Sequence, residues 1–169
     1  MTLAEAIQLI GSKRIDNSAP QQWADLGCGN GIFSKALLSL LHKDSLIYAI
    51  DRRPANFKED NIHFIQKDFL KDALMLPPLD GIMMANALHF VQNKIAFLQT
   101  LRNYLLPGAL FILVEYDTDT PNRYVPYPLS FASATELLKL AGFEAFEKIN
   151  EHPSVYQRAN MYAIDSVKR

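Results

Sequence analysis

The sequence predicts an α/β fold, with a mostly parallel sheet of seven strands and helices on both faces. Three observations predict it. Short apolar runs of strand length alternate with segments whose apolar residues fall at helical spacing. Several of the runs are continuously apolar, as strands buried on both faces must be. A glycine-rich turn joins the first run to the first long helix, which is where doubly wound sheets bind their ligands.

The elements follow in order. Leu3 to Ile10 reads as a helix with Thr2 as its N-cap. Gln22 to Leu26 is a strand. From Gly31 onward Ile32, Phe33, Ala36, Leu37, Leu40 and Leu41 share one helical face. Leu46 to Ile50 and Ile62 to Ile65 are strands, separated by a Pro54-led helix or turn. Pro77 and Pro78 break the chain before the strand Leu79 to Ala85. Val91, Ile95, Leu98, Leu101 and Leu105 space out a helix that Pro107-Gly108 is expected to stop, and Ala109 to Glu115 is the most apolar strand. Tyr116 to Leu129 reads as an irregular loop with three prolines and three tyrosines. A helix is expected from about Ser133, with Ser133 and Glu136 as a capping box and Gly142 as its end. Phe143 to Ile149 and Arg158 to Ser166 close the chain as two strands. No helix lies between them, so they should pair antiparallel.

The chain has 169 residues, which makes one domain over residues 1–169 the default, with a short N-terminal helix at 2–11 and a core over about 20–166. A net charge of −1 argues against a long nucleic-acid or anionic-membrane partner. Cys28 is the sole cysteine, so no internal disulfide or thiolate zinc cluster can form. MTLAEAIQLIG lacks the basic region and long apolar run of a secretion signal or membrane span, and the cytoplasm is the expected location. Oligomeric state stays open.

The chemistry sits in Asp25-Leu26-Gly27-Cys28-Gly29-Asn30-Gly31, at the first strand–helix turn. A nicotinamide loop needs G-x-G-x-x-G, with a third glycine for helix packing beneath a pyrophosphate. Counted from Gly27 that third position is Ile32, and from Gly29 it is Ser34. Asp51 ends the second strand twenty residues after Gly31, where two carboxylate oxygens can hold two ribose hydroxyls. An acid there serves NAD equally well, so it does not separate the two cofactors.

The acid-x-G-x-G-x-G pattern resembles the first motif of class I S-adenosylmethionine-dependent methyltransferases. Four later segments resemble that family in the same order: Tyr48-Ala49-Ile50-Asp51, Gln66-Lys67-Asp68-Phe69, Leu79 to Phe90 and Leu105 to Leu110. The resemblance implies a Rossmann-like sheet of order 3-2-1-4-5-7-6 with strand 7 antiparallel. It implies S-adenosyl-L-methionine as cofactor and S-adenosyl-L-homocysteine as product. Asp25 would orient the cofactor's ammonium group, and Gly27, Cys28, Gly29 and Gly31 would lie against its amino-acid part. Asp51 and the following Arg52 would meet the ribose. Asp68 would accept from the adenine amine and Phe69 would donate its backbone N–H, a role favoured over the alternative in which Asp68 caps a short turn. Asn86, just after the fourth strand, would lie beside the methyl group.

The acceptor is expected to be a small molecule. His89 is a candidate general base, or else packs beneath the following helix. Tyr116, Arg123, Tyr124 and Tyr127 are candidates for an acceptor wall, or else the loop is packing stiffened by proline. Pro77-Pro78 precedes the fourth strand, so it is not the Asn/Asp-Pro-Pro-aromatic motif of amino-group methyltransferases. The cysteine pair of a cytosine C5 enzyme is absent. Two rival readings are a non-catalytic S-adenosylmethionine-binding subunit or sensor, and a nicotinamide-dependent oxidoreductase. No metal site is expected.

Overall fold

The computed structural model describes residues 1–153 and 159–169. Helix α1 (Leu3–Ile10) opens the chain. Thr2 caps it: its Oγ1 accepts from Glu5 N at 3.2 Å, while Glu5 Oε2 accepts from Thr2 N at 2.6 Å. Strand β1 (Gln22–Leu26) leads into α2 (Ile32–Leu40), and β2 (Leu46–Asp51), β3 (Ile62–Gln66) and β4 (Leu79–Ala85) follow. A 3-10 turn over Leu88–Phe90 precedes α3 (Lys94–Arg102). Strand β5 (Leu105–Tyr116), α4 (Phe131–Leu140), β6 (Phe143–His152) and β7 (Met161–Lys168) complete the fold.

The seven strands form one sheet of order β3-β2-β1-β4-β5-β7-β6. The β1–β2, β2–β3, β1–β4 and β4–β5 pairs are parallel, and β7 runs antiparallel to both neighbours. This is the Rossmann-like arrangement that the resemblance implies. Side chains of a strand alternate between faces, so the sheet feeds two cores. Ile112 and Val114 of β5 join the core under α1 and α2, with Leu9, Ile10, Leu37 and Met83. Phe111 and Leu113 join the core under α3 and α4, with Leu26, Met84, Leu98 and Leu138. No helix covers the β2–β3 or β3–β4 connections.

Two expectations are corrected. Pro107-Gly108 does not stop a helix. Helix α3 has already ended at Arg102, and β5 begins at Leu105, which pairs with Leu79. The pairing then jumps to Gly81 with Leu110, so the intervening residues of β5, Pro107-Gly108 among them, form a bulge within the strand. Leu105 continues the helical apolar spacing, but the strand bond from Leu79 N to Tyr104 O at 2.7 Å decides its conformation. Helix α4 starts earlier than expected. Ser130 is its N-cap, accepting from Ser133 N at 3.2 Å, and the Ser133 hydroxyl donates to Asp119 Oδ2 at 3.0 Å. Asp119 Oδ1 also accepts from Ser130 N at 2.9 Å, and Asp117 Oδ1 from Phe131 N at 2.8 Å. Two acids of the loop therefore satisfy the amide end of α4, where negative charge is favoured. The expected start of the last strand at Arg158 lies outside the described residues; β7 is seen from Met161.

Trp23 is fully buried in β1 and sits beside Gly81 of β4 in register. A Cβ on Gly81 would lie 2.4 Å from the indole ring, far inside contact distance. Gly81→Ala should therefore overpack the β1–β4 junction and cost about 1–3 kcal/mol. Urea or thermal unfolding reads this as a Tm loss of about 2–4 °C per kcal/mol. An unchanged Tm would mean that the indole swings aside freely.

Candidate cofactor site

The site forms at the carboxyl edge of the sheet, at the switch point between β1 and β4. There the chain leaves β1 toward one side and β4 toward the other, which opens a crevice. The glycine loop spans it. Gly27 N and Cys28 N both donate to Ile50 O, at 2.7 and 3.1 Å, which ties the loop to β2. Gly31 N donates to Cys28 O at 2.8 Å and closes the turn into α2. Gly27 has φ +80, and a Cβ there would lie 2.6 Å from the Cβ of Ala87, so glycine lets the loop lie directly against the post-β4 turn. Gly29 has φ +55, and nothing lies within 4 Å of where its Cβ would stand. Gly29 lines a cavity of about 510 Å³.

Nine residues singled out in the sequence line this cavity: Asp25, Gly27, Cys28, Gly29, Asp51, Arg52, Asp68, Phe69 and Asn86. Gly31 is not among the lining residues and instead caps α2. Four strand ends thus deliver their polar residues to one crevice.

Two buried acceptor oxygens in this lining have no partner: Asp25 Oδ1 and Asn86 Oδ1. Asp25 is fully buried, and its other oxygen accepts from the Ser34 hydroxyl at 2.5 Å. Burial pushes the Asp25 carboxyl up to about 7; the Ser34 hydrogen bond pulls the other way, and the nearby Asp51 charge adds to the rise. Asn86 holds a left-handed backbone, φ 51, which only a few non-glycine residues adopt. Its amide nitrogen points to Met161 Sδ at 3.6 Å, and its backbone N donates to Val114 O at 2.8 Å.

Asp51 Oδ2 accepts from Gly29 N and Oδ1 from Arg53 N, each at 2.9 Å. The carboxylate therefore shapes the glycine loop. Each oxygen retains a second lone pair, so these bonds leave capacity for ligand hydroxyls. Asp68 opens a turn: its Oδ1 accepts from Leu70 N at 3.0 Å, and its carbonyl accepts from Lys71 N and Asp72 N. The turn and the place in the cavity lining coexist in one residue. Phe69 lines the cavity and packs on Phe97, with ring centroids 5.8 Å apart. Burial and the charges of Asp25 and Asp51 push the Cys28 thiol well above its ordinary range, so it is no nucleophile.

None of the five residues named for the acceptor side lines the cavity. His89 is buried, with 3% of its surface exposed, and its Nδ1 lies 2.7 Å from Glu115 Oε2. The residue after it, Phe90, is the one that lines the cavity. Tyr116 is half-buried at the end of β5, its ring 6.4 Å from that of His89. Tyr127 donates its backbone N–H to His89 O at 3.0 Å, and the Lys94 ammonium stands 5.3 Å over its ring. Tyr124 is exposed, with the Arg123 guanidinium 4.8 Å over its ring.

The sequence reading also missed Ser34, Arg53 and Phe90. Ser34 had a visible signal, because it is a polar residue on the apolar face of α2, between Phe33 and Ala36. Phe90 was overshadowed by its titratable neighbour. Among the described residues, no group of three or more His, Cys, Asp or Glu is arranged to hold a metal ion.

Comparison with known proteins adds to this geometry. The family model of a methyltransferase domain matches residues 2–164. No curated protein matches the chain. Among solved structures, the chain is similar to 1,6-didemethyltoxoflavin-N1-methyltransferase of Burkholderia thailandensis, bound to 1,6-didemethyltoxoflavin and S-adenosylhomocysteine. The TM-score is 0.71 at 16% identity, covering 98% of this chain and 77% of that one. It is similar to human N-acetylserotonin methyltransferase in complex with S-adenosylmethionine, with TM-score 0.64 at 23% identity, covering 87% of this chain and 47% of that one. It is also similar to an S-adenosylmethionine-dependent methyltransferase of Aquifex aeolicus, with TM-score 0.64 at 18% identity, covering 88% of this chain and 82% of that one. The chain spans just under half the length of the human enzyme. At these identities the structural likeness speaks for the fold, and the family match over nearly the whole sequence supplies the rest: the chain belongs to the methyltransferase-domain family.

Proposed function

We propose that this methyltransferase uses S-adenosylmethionine to methylate a small-molecule acceptor, and that the cavity at the β1–β4 switch point is its cofactor site. One observation carries the assignment. Two residues of the cavity lining, Asp25 and Asn86, each keep a buried oxygen, Oδ1, without a partner. Leaving a buried acceptor unsatisfied costs about 1–3 kcal/mol, so a site that keeps two of them is built to receive donors. An amino-acid ammonium offers three such donors. The open space over Gly29 accepts the ligand against bare backbone.

The cofactor supplies a methyl group on a sulfonium, already a good leaving centre. The chain's own contribution is then binding, alignment and exclusion of water. Asp25 and Asn86 take the ammonium, and Asp51 accepts from the ribose hydroxyls with the lone pairs left by Gly29 and Arg53. Asp68 and Phe69 flank the adenine, and Phe90 closes the side toward the acceptor. His89 is set aside as a base, because its Nδ1 is engaged by Glu115 and its ring does not line the cavity. Two observations support a small acceptor. The net charge of −1 provides no field for a polyanion, and the Burkholderia and human neighbours are named for small heterocyclic acceptors. The loop Tyr116 to Leu129 is proposed as the outer acceptor wall, a reading supported by the bond from Tyr127 N to the carbonyl of His89, the residue before Phe90 of the cavity lining.

Three outcomes are expected. S-adenosylhomocysteine should raise the Tm of the wild type, and Asp51→Ala should weaken its binding in calorimetry by about 1.5–3 kcal/mol. A shift with NAD and none with S-adenosylhomocysteine would overturn the cofactor assignment.

Affinity should also depend on pH through Asp25. Its carboxyl is held up to about 7, and a cationic ligand favours the ionised form. Affinity should therefore climb as pH rises from the ordinary carboxylate range toward 7 and level off above it. Apo stability should run the opposite way over that window, because the unfolded chain ionises first. Asp25→Asn should flatten the binding profile, and a profile that stays the same would remove Asp25 from the site.

The double substitution Tyr124→Ala, Tyr127→Ala should leave cofactor affinity intact and abolish turnover once an acceptor is in hand. Full turnover in the folded double variant would move the acceptor pocket elsewhere.

A further inference from the structure

Glu115 is buried in the middle of the sheet, 1% exposed, and no step of methyl transfer uses it. Its carboxylate holds one residue at two points. Oε1 accepts from His89 N at 3.0 Å, and Oε2 meets His89 Nδ1 at 2.7 Å. A carboxylate has only lone pairs to offer, so the proton of that second bond sits on Nδ1. Two further contacts leave His89. Its ring lies against that of Phe90, centroids 4.3 Å apart, and Phe90 lines the cavity. Its carbonyl accepts from Tyr127 N at 3.0 Å, within the 117–130 loop. Lys94 adds a cation on the same side, with its ammonium over the Tyr127 ring and in the field of Glu115.

We infer that Glu115 is a positioning residue that couples the cofactor cavity to the acceptor loop through His89. The inference rests on the cofactor assignment made above. The path is contiguous and each link is named: cavity wall, Phe90 ring, His89 ring and carbonyl, Tyr127 N–H. Glu115 keeps the central member in one orientation. A ligand that presses on Phe90 favours that orientation, and the same orientation presents the carbonyl that anchors the loop. Filling the cavity then stabilises the loop before an acceptor arrives, and the two sites share a coupling free energy.

The loop reports on itself, because Arg123 and Tyr124 are exposed at its centre and form a tryptic site. Cleavage at Arg123 is measured with and without saturating S-adenosylhomocysteine, whose binding is followed in parallel by calorimetry. In the wild type the ligand should slow this cut by about tenfold while the loop stays tied. Glu115→Ala removes both bonds to His89 and should reduce that protection to below about twofold. Glu115→Gln should restore most of it, since its carbonyl oxygen can still accept from His89 N. Its amide must donate to Nδ1, so nitrogen NMR should show the His89 proton on Nδ1 in the wild type and on Nε2 in Glu115→Gln. A residue that merely fills space would move neither the rescue nor the tautomer. Full protection in a folded Glu115→Ala, or an Nε2–H tautomer in the wild type, would overturn the inference.

Should Glu115→Ala fail to fold, Tyr127→Pro removes the tether's N–H together with the ring beyond it. It also fixes φ at this position, so Tyr127→Ala, which keeps the N–H, serves as its control: Tyr127→Pro should lose the protection while still binding the ligand, Tyr127→Ala should keep it, and retained protection in Tyr127→Pro would overturn the inference equally. Wild type that binds no S-adenosylhomocysteine would defeat the cofactor assignment instead. The coupling then stands or falls on the His89 tautomer and on faster cutting of Tyr127→Pro without ligand.

Discussion

The grip of the β2 end on the glycine loop is the constraint from which the site follows. Ile50 O takes two successive amides of the loop, Gly27 N and Cys28 N, and Asp51 takes a third from Gly29. Those three bonds turn a flexible stretch into a rigid lip. Gly27 then lies against Ala87, so the lip meets the turn after β4 and the crevice between β1 and β4 acquires a floor. Weakening either contact would let the loop swing off the sheet edge, and four strand-end residues would lose their common focus. The residues below serve the same end. Trp23 over Gly81 locks β1 to β4 one layer beneath the crevice, where a shift would be felt directly above.

The crevice is kept in a state that the fold alone would not favour. Asp25 sits fully buried with one oxygen unpaired, and Asn86 combines an unpaired oxygen with a left-handed backbone. Each feature costs free energy in the empty protein. The surroundings hold them in place: Ser34 braces one Asp25 oxygen, Met161 braces the Asn86 amide, and Val114 O fixes the Asn86 backbone. Local violations of this kind, supported from outside, concentrate at functional sites and accord with the cofactor assignment proposed above.

Legibility in the sequence divides along physical lines. The alternation of strands and helices and the antiparallel closing pair were readable from short-range pattern, whereas the sheet order and the gathering of Asp25, Asp51, Asp68 and Asn86 came from the resemblance of five segments in order. A strand end followed by a turn places its last polar residue at the carboxyl edge whatever the rest of the chain does. Where long-range bonds compete with local signals, the local signals misled. Pro107-Gly108 has the chemistry of a helix stop, yet β4 pairs through it and makes it a bulge. Ser133 and Glu136 have the spacing of a capping box, yet Asp117 and Asp119 reach across from the loop and start α4 at Ser130 instead. Ser34 escaped because its role depends on Asp25 nine residues earlier, a partner that helical periodicity does not reveal.

The acceptor side is illegible for a related reason. The polar residues of the cavity lining sit at the ends of strands, whose positions the sheet dictates. The 117–130 loop has no such frame, and its course is decided by tertiary bonds at both ends. Asp117 and Asp119 hold it to α4, the Tyr162 hydroxyl donates to Leu129 O at 3.0 Å, and Tyr127 N reaches His89 O. Two tyrosines and an arginine stand out in this loop by composition, but its tertiary bonds leave none of them in the cavity lining. Two of the aromatic faces are already covered by cations of the same chain, Tyr124 by Arg123 and Tyr127 by Lys94.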